Sequence, residues 1–183
     1  MFMIRKERNI LFRKFDITNM ISDIHIKKTL AQFSSLKEAF IDTSSLLYME
    51  KSSFLPLVAE EITLRVVPGV CLEYGPGYLP CIIYYNPQST AGSTDMTIHA
   101  ACLETGLPLI SEDKRLLNRT ARAGLPYFNS LMMLIFLVYK GAVTDDKFLF
   151  YYGRLNEIAR YKNTIWEFGA AVVRDIIMNR RKK

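Results

Sequence analysis

Histidine and cysteine are scarce in this chain, and neither is arranged for chemistry. His25 and His99 stand alone, and Cys71, Cys81 and Cys102 form neither a CxxC pair nor any other metal-ligand spacing. That pattern excludes a structural zinc site, whose ligands come in closely spaced pairs. An odd number of thiols without a disulfide framework fits a reducing compartment, so a cytoplasmic protein is expected. No GxGxxG, GxxxxGK[ST] or nucleophile-elbow pattern occurs, which removes the sequence case for dinucleotide, P-loop and serine-hydrolase chemistry. Long apolar runs are missing too. "LMMLIFLVY", Leu131–Tyr139, is too short to span a bilayer and reads as a buried helix, so no membrane partner is expected. The opening "MFMIRKERNILFRKFD" alternates charge with apolar residues and has no small-residue cleavage site, so no secretory leader is expected. There is no internal repeat and no low-complexity segment.

What is present suits one α/β domain, alone or with an appendage. Half of the 183 residues are apolar, enough for a substantial core. The formal charge of +6 favours polyanionic partners without choosing among RNA, DNA and membrane. Much of that excess is terminal: Arg5, Lys6, Arg8, Arg13, Lys14, Lys27 and Lys28 near the start, and Arg180 to Lys183 at the end. Solvated tails are the plain reading of both.

Residues 1–38 show no clear period and read as a basic, partly helical extension. Order begins with "AFID", a short strand ending at Asp42, followed by a loose helical pattern over "SLLYMEKSSFLPLVAEE" in which Pro56 signals a break. "ITLRVV" reads as a strand and "PGVCLEYG" as a short helix stopped by Gly75-Pro76-Gly77. Residues 78–92 read as a loop with a strand at Cys81 to Tyr85. Ser93 or Thr94 caps the next helix, which Gly106 stops. "LPLIS" is then a strand, "EDKRLLNRTARAG" a helix, "PYFN" a strand and Ser130 to Lys140 a helix. A further helix capped by Thr144 and one marked by Ile165, Gly169, Val172 and Ile176 complete the pattern. Strands alternating with helices predict a mostly parallel sheet covered on both faces.

Four acids fall at corresponding ends of these elements. Asp42 and Asp113 close predicted strands, Asp95 lies in the first turn of a helix, and Glu73 projects from a helix entered directly from a strand. In open parallel sheets the carboxyl ends of the strands gather the ligand-binding loops, so all four can converge on one rim. Carboxylates forced together repel, and relief comes from a raised pKa or a divalent cation. Oxygen donors without His or Cys point to Mg2+ or Mn2+, ions suited to phosphodiester cleavage. Each acid also has a plain reading: Asp95 as complement to a helix dipole, Asp42 as a helix cap, Glu73 as solvated surface. Glu60 or Glu61 could stand in for Glu73 in another register.

"FIDTSSLL", "VVPGVCLEYG", "STDMTIHAACLETGLPLISEDKRLL" and "LMMLIFLVYKGAVTDDKF", in that order, resemble a PIN domain of the toxin-like or RNA-processing nuclease group. The resemblance covers about residues 39–179, between the 1–38 extension and a basic 180–183 tail. Its most specific part is Asp95 and Asp113 joined by a helix, "GLPLIS" and "DKRL". It implies a Rossmann-like α/β/α sandwich with a mostly parallel central sheet, and a metal-dependent ribonuclease that cuts RNA by metal-activated water. The family's acids would fall on Asp42, Glu73, Asp95 and Asp113, holding Mg2+ or Mn2+, with Thr43 and Ser44 as the neighbouring hydroxyls. A homodimer and an antitoxin-like protein partner would also follow. Two features depart from the family: only 21 residues lie between Glu73 and Asp95, and the basic N-terminal extension is outside the pattern.

Two rivals stand beside that expectation. One is a non-catalytic RNA- or protein-binding module with the same fold. The other is a phosphatase or receiver-like domain accepting phosphate on Asp42, although "DTSS" lacks the second acid such a site wants. His99, four residues after Asp95, shares its helical face and could bond it. Lys114 and Arg115 could meet substrate phosphate or form the polar side of an amphipathic helix. Tyr74, Tyr78, Tyr84 and Tyr85 would suit stacking on bases, core packing or a dimer face.

Overall fold

The computed structural model describes residues 23–85 and 92–180, so most of the basic extension and all of the tail beyond Arg180 lie outside the described residues. These fall into two compact units, one holding residues 23–34 and 161–180, the other Ser35–Arg160. The first contributes helix α1 (Asp23–Ser35) and the C-terminal helix α9 (Asn163–Arg180), whose Gly169, Val172, Val173 and Ile176 are buried.

The second unit carries the sheet. Its strands are β1 (Glu38–Ile41), β2 (Thr63–Val66), β3 (Ile82–Ile83), β4 (Leu109–Ile110) and β5 (Tyr127–Phe128). All pairings are parallel, in the order β3-β2-β1-β4-β5. Ala39, Phe40, Ile41, Leu109 and Ile110 are completely buried, as expected of central strands covered on both faces. Between the strands run α2 (Thr43–Lys51), α3 (Leu55–Glu61), α4 (Pro68–Tyr74), α5 (Thr94–Thr105) and α6 (Lys114–Arg122), followed by α7 (Ser130–Lys140) and α8 (Asp145–Ile158). Helices α2, α3, α7 and α8 pack among themselves, while α5 and α6 pack against each other. The unit is a Rossmann-like α/β/α sandwich, as the sequence pattern predicts. Among the described residues, no helix is long and apolar enough to cross a membrane.

Two boundaries differ from the expected ones. The break in the helical run after Asp42 falls at Ser52 to Phe54, where Ser53 has a φ of 65°, and not at Pro56. Pro56 sits in the first turn of α3, where its missing N–H costs nothing. Strand β4 stops at Ile110, so Asp113 opens a helix and does not close a strand.

Helix α7 is apolar all round, and Leu131 to Val138 are all buried, the condition in which such a helix is stable in water. It touches α2, α3, α8 and β5. Leu134, with no exposed surface, lies inside that packing. Leu134→Ala should lower stability by about 2–5 kcal/mol, read as a lower urea midpoint at unchanged m-value. A loss under about 1 kcal/mol would show that α7 is not enclosed as described.

Candidate active site

The strand order reverses between β1 and β4: the chain runs outward from β1 to β2 and β3, then returns to place β4 on β1's other side. In open parallel sheets such a switch point, beyond the carboxyl ends of the two strands, is where ligands bind. Asp42, one residue past β1, is 6% exposed and is the N-cap of α2. Its Oδ1 accepts the Ser45 N–H at 2.7 Å. Its Oδ2 accepts the Ser44 hydroxyl at 3.1 Å, the Ser111 hydroxyl at 2.5 Å and the Glu112 N–H at 3.3 Å. A buried carboxylate needs such donors, and here half of them come from the end of β4.

Ser111 continues the link. Its hydroxyl donates to Asp42 and accepts the Asp113 N–H at 3.0 Å. Asp113 is the N-cap of α6, its Oδ1 accepting the N–H groups of Arg115 at 2.5 Å and Leu116 at 3.0 Å. Glu73, exposed on α4, accepts the Thr43 hydroxyl on Oε2 at 2.6 Å. The helices carrying Glu73 and Asp95 meet closely: a Cβ on Gly69 of α4 would stand 2.5 Å from Thr94 Oγ1 at the start of α5. Thus Ser44 holds Asp42 while Thr43 holds Glu73.

Asp95 has no comparable duty. Helix α5 is capped by Ser93, and no donor reaches the Asp95 carboxylate among the described residues. Partial desolvation raises its pKa above the ordinary aspartate value, and the charges of Asp113, Asp42 and Glu73 raise it further against the opposing pull of Arg119. The other three expected acids thus all act on Asp95. Even so, among the described residues no three His, Cys, Asp or Glu side chains stand close enough to hold a metal ion together. The donor set suits a hard cation, and acceptor capacity remains: Asp113 Oδ2, Glu73 Oε1 and both Asp95 oxygens receive no donor among the described residues.

Two contributors to this rim, Ser111 and Ser130, are not apparent from sequence; a third, Glu112, reads there as either functional or solvated surface. Ser111 looks like the last residue of an apolar strand. Glu112 Oε1 accepts the Ser130 N–H at 2.8 Å and hydroxyl at 2.6 Å, and the Ser45 hydroxyl at 3.4 Å. It thereby ties β4's end to the starts of α7 and α2. The only sequence signal for these residues is polar side chains placed directly after buried strands.

Other candidates recede. The bond between His99 and Asp95 is not formed; His99 Nε2 is buried without a partner among the described residues. Burial lowers the His99 pKa, a backbone bond to Arg119 raising it and the Arg119 charge lowering it. The Cys81 and Cys102 thiols are pushed up to about 12, by burial and, for Cys81, also by Cys71, so neither is a thiolate nucleophile. An open groove of about 920 Å³ bordered by Glu50, Tyr74, Tyr78 and Ile82 includes none of the four acids.

Comparison with known proteins returned no match: no family model, no curated protein and no solved structure is significantly similar to the chain.

Two predictions follow from this geometry. Ser111→Ala leaves the Asp113 N–H and a buried oxygen of Asp42 short of a partner and should destabilise by about 1–3 kcal/mol. Ser44→Ala, at a half-buried position, should cost less than Ser111→Ala; equal losses in chemical denaturation would contradict the bridging role. For Asp95, a raised folded-state pKa means that the folded chain binds more protons than the unfolded one. Its repulsion is therefore absent below the ordinary aspartate pKa of 3.8, which the unfolded chain has, and grows as pH rises through the higher folded value. Asp95→Asn should raise Tm at neutral pH, with the gain vanishing in acid. A lower Tm at pH 7 would show that the carboxylate is not under strain.

Proposed function

We propose that the chain is a metal-dependent endoribonuclease of the PIN type that hydrolyses RNA phosphodiester bonds at the rim of Asp42, Glu73, Asp95 and Asp113. The observation that carries this reading is Asp95: it caps nothing, accepts no hydrogen bond among the described residues, and stands in the field of the other three acids. Such repulsion is relieved by a proton or a divalent cation, and an all-oxygen donor set favours Mg2+ or Mn2+. A bound ion would supply charge to activate water and to stabilise the leaving oxygen.

The chain's own residues have distinct parts in this reading. Asp42 and Asp113, fixed by their caps, would anchor the ion's position. Asp95 and Glu73, which are exposed, would turn toward it or hold it through water. Thr43 keeps Glu73 beside Asp42, and Ser44 and Ser111 fix the Asp42 carboxylate plane. A non-catalytic RNA- or protein-binding module is the second reading, favoured by the absence of three acids at ligating distance among the described residues. An antitoxin-like partner and a homodimer rest on the resemblance alone and add nothing to this chemistry.

The test is cleavage of labelled single-stranded RNA by purified protein during Mg2+ or Mn2+ titration. Asp95→Asn and Asp113→Asn should each reduce the rate by ~100-fold or more, the scale of losing one electrostatic group at a reacting centre. Asparagine is a competent N-cap, so circular dichroism should be unchanged. Wild-type protein that binds RNA without metal-stimulated turnover would leave the binding module standing in its place.

A further inference from the structure

Helix α6 begins at Asp113 and carries Lys114, Arg115, Arg119 and Arg122, all exposed. Arg115, Arg119 and Arg122 are spaced i, i+4, i+7, which aligns them on one stripe about 10 Å long. Helix α6 packs against α5, the helix that carries Asp95 and His99, and the Arg119 charge acts on both of those side chains. None of the three guanidinium groups forms an ion pair among the described residues, although carboxylates are near.

A solvated amphipathic face explains only part of this. Arg119 and Arg122 lie in the last turn, where cations complement the helix dipole. Lys114 and Arg115 lie in the first turn, where cations are disfavoured and Asp or Glu would be the stabilising choice. Helix stability thus argues against cations at that end. Guanidinium groups left unpaired beside a cluster of acids are suited to a ligand carrying repeated negative charge.

We propose that the Arg115–Arg119–Arg122 stripe is the track for the phosphate backbone of a single-stranded RNA, leading the strand along α6 to the rim at Asp113. The destination of the strand rests on the ribonuclease reading; the binding itself does not. Contacts of this kind position the chain without reading its bases. They release counterions on binding, with a salt dependence of about −0.7 per phosphate for single strands.

The test is fluorescence anisotropy of a labelled single-stranded oligoribonucleotide in EDTA, which suppresses metal-dependent cleavage, across a salt series. The triple variant Arg115→Gln/Arg119→Gln/Arg122→Gln should bind more weakly, with the slope of log K against log salt shallower by about 2. The corresponding Arg→Lys triple variant should keep most of that slope, since charge is retained. A charge-matched control, Lys51→Gln/Lys147→Gln/Arg160→Gln, alters exposed cations elsewhere on the same unit and should leave the slope nearly unchanged.

An unchanged slope in the arginine variant, an equal loss in the control, or no binding by the wild type overturns the track. Metal-dependent cleavage with an unchanged slope would remove the track and keep the nuclease. Stripe-dependent binding without cleavage in Mg2+ or Mn2+ would keep the track and remove the nuclease.

Discussion

The hydrogen bond from Ser111 to Asp42 joins β1 and β4 at the place where the order of the strands reverses. Helices α2 and α6 start from those two strand ends, and both starts depend on it. Asp42 caps α2 through Oδ1 while its Oδ2 gathers donors from Ser44, Ser111 and Glu112. Ser111 in turn holds the backbone of Asp113, which caps α6. A nearly buried carboxylate is costly without partners, so these donors are a condition of the charge being there. The switch point is in this sense built around one negative charge and its donors.

That arrangement separates the acids into two kinds. Asp42 and Asp113 have structural duties that would account for them with no function at all, since aspartate is among the best N-caps. Asp95 has only a helix dipole to complement, and Glu73 has one hydroxyl partner on an exposed helix face. Neither of these two stabilises the fold much, and for Asp95 the three neighbouring charges work against it. A fold selected for stability alone would gain by replacing Asp95. The case for chemistry therefore rests on the acid with the least structural reason to be present, and the capped acids serve as its fixed frame.

Much of the architecture was legible in the sequence because its signals were local. Strong caps and stops at Ser93, Gly106, Gly141 and Thr144 mark helix ends by backbone geometry that few other residues satisfy. The fully apolar α7 could only be interior. Helix α3 was blurred into α2 because the break depends on Ser53 adopting a positive φ, a choice made by tertiary packing and without a glycine to announce it. At the rim, the acids could be found from their places at element ends. Ser111 and Ser130 could not, and Glu112 stayed ambiguous, because their bonds join distant element ends over sequence separations that no periodicity encodes. The missing bond between His99 and Asp95 is the reverse case: four residues of spacing bring two side chains to one face but do not turn them toward each other.

The charges around the rim also constrain one another. A phosphodiester approaching Asp42, Glu73, Asp95 and Asp113 meets repulsion, and the cations of α6 follow Asp113 on the helix that it caps. Arg119 lowers the Asp95 pKa that burial and the other acids raise, so one cation of the stripe acts on one acid of the rim. If the rim takes up a divalent ion, the local negative charge falls and the polyanion is held more strongly. Linkage then requires the polyanion to strengthen ion binding by the same factor. A rim whose acids stop short of ligating distance in the free chain is consistent with a site completed only when ion and phosphate arrive together, the phosphate oxygens supplying ligands that the protein does not. In that arrangement the guanidinium stripe and the carboxylates are two halves of one electrostatic device, and neither would be expected to bind tightly alone.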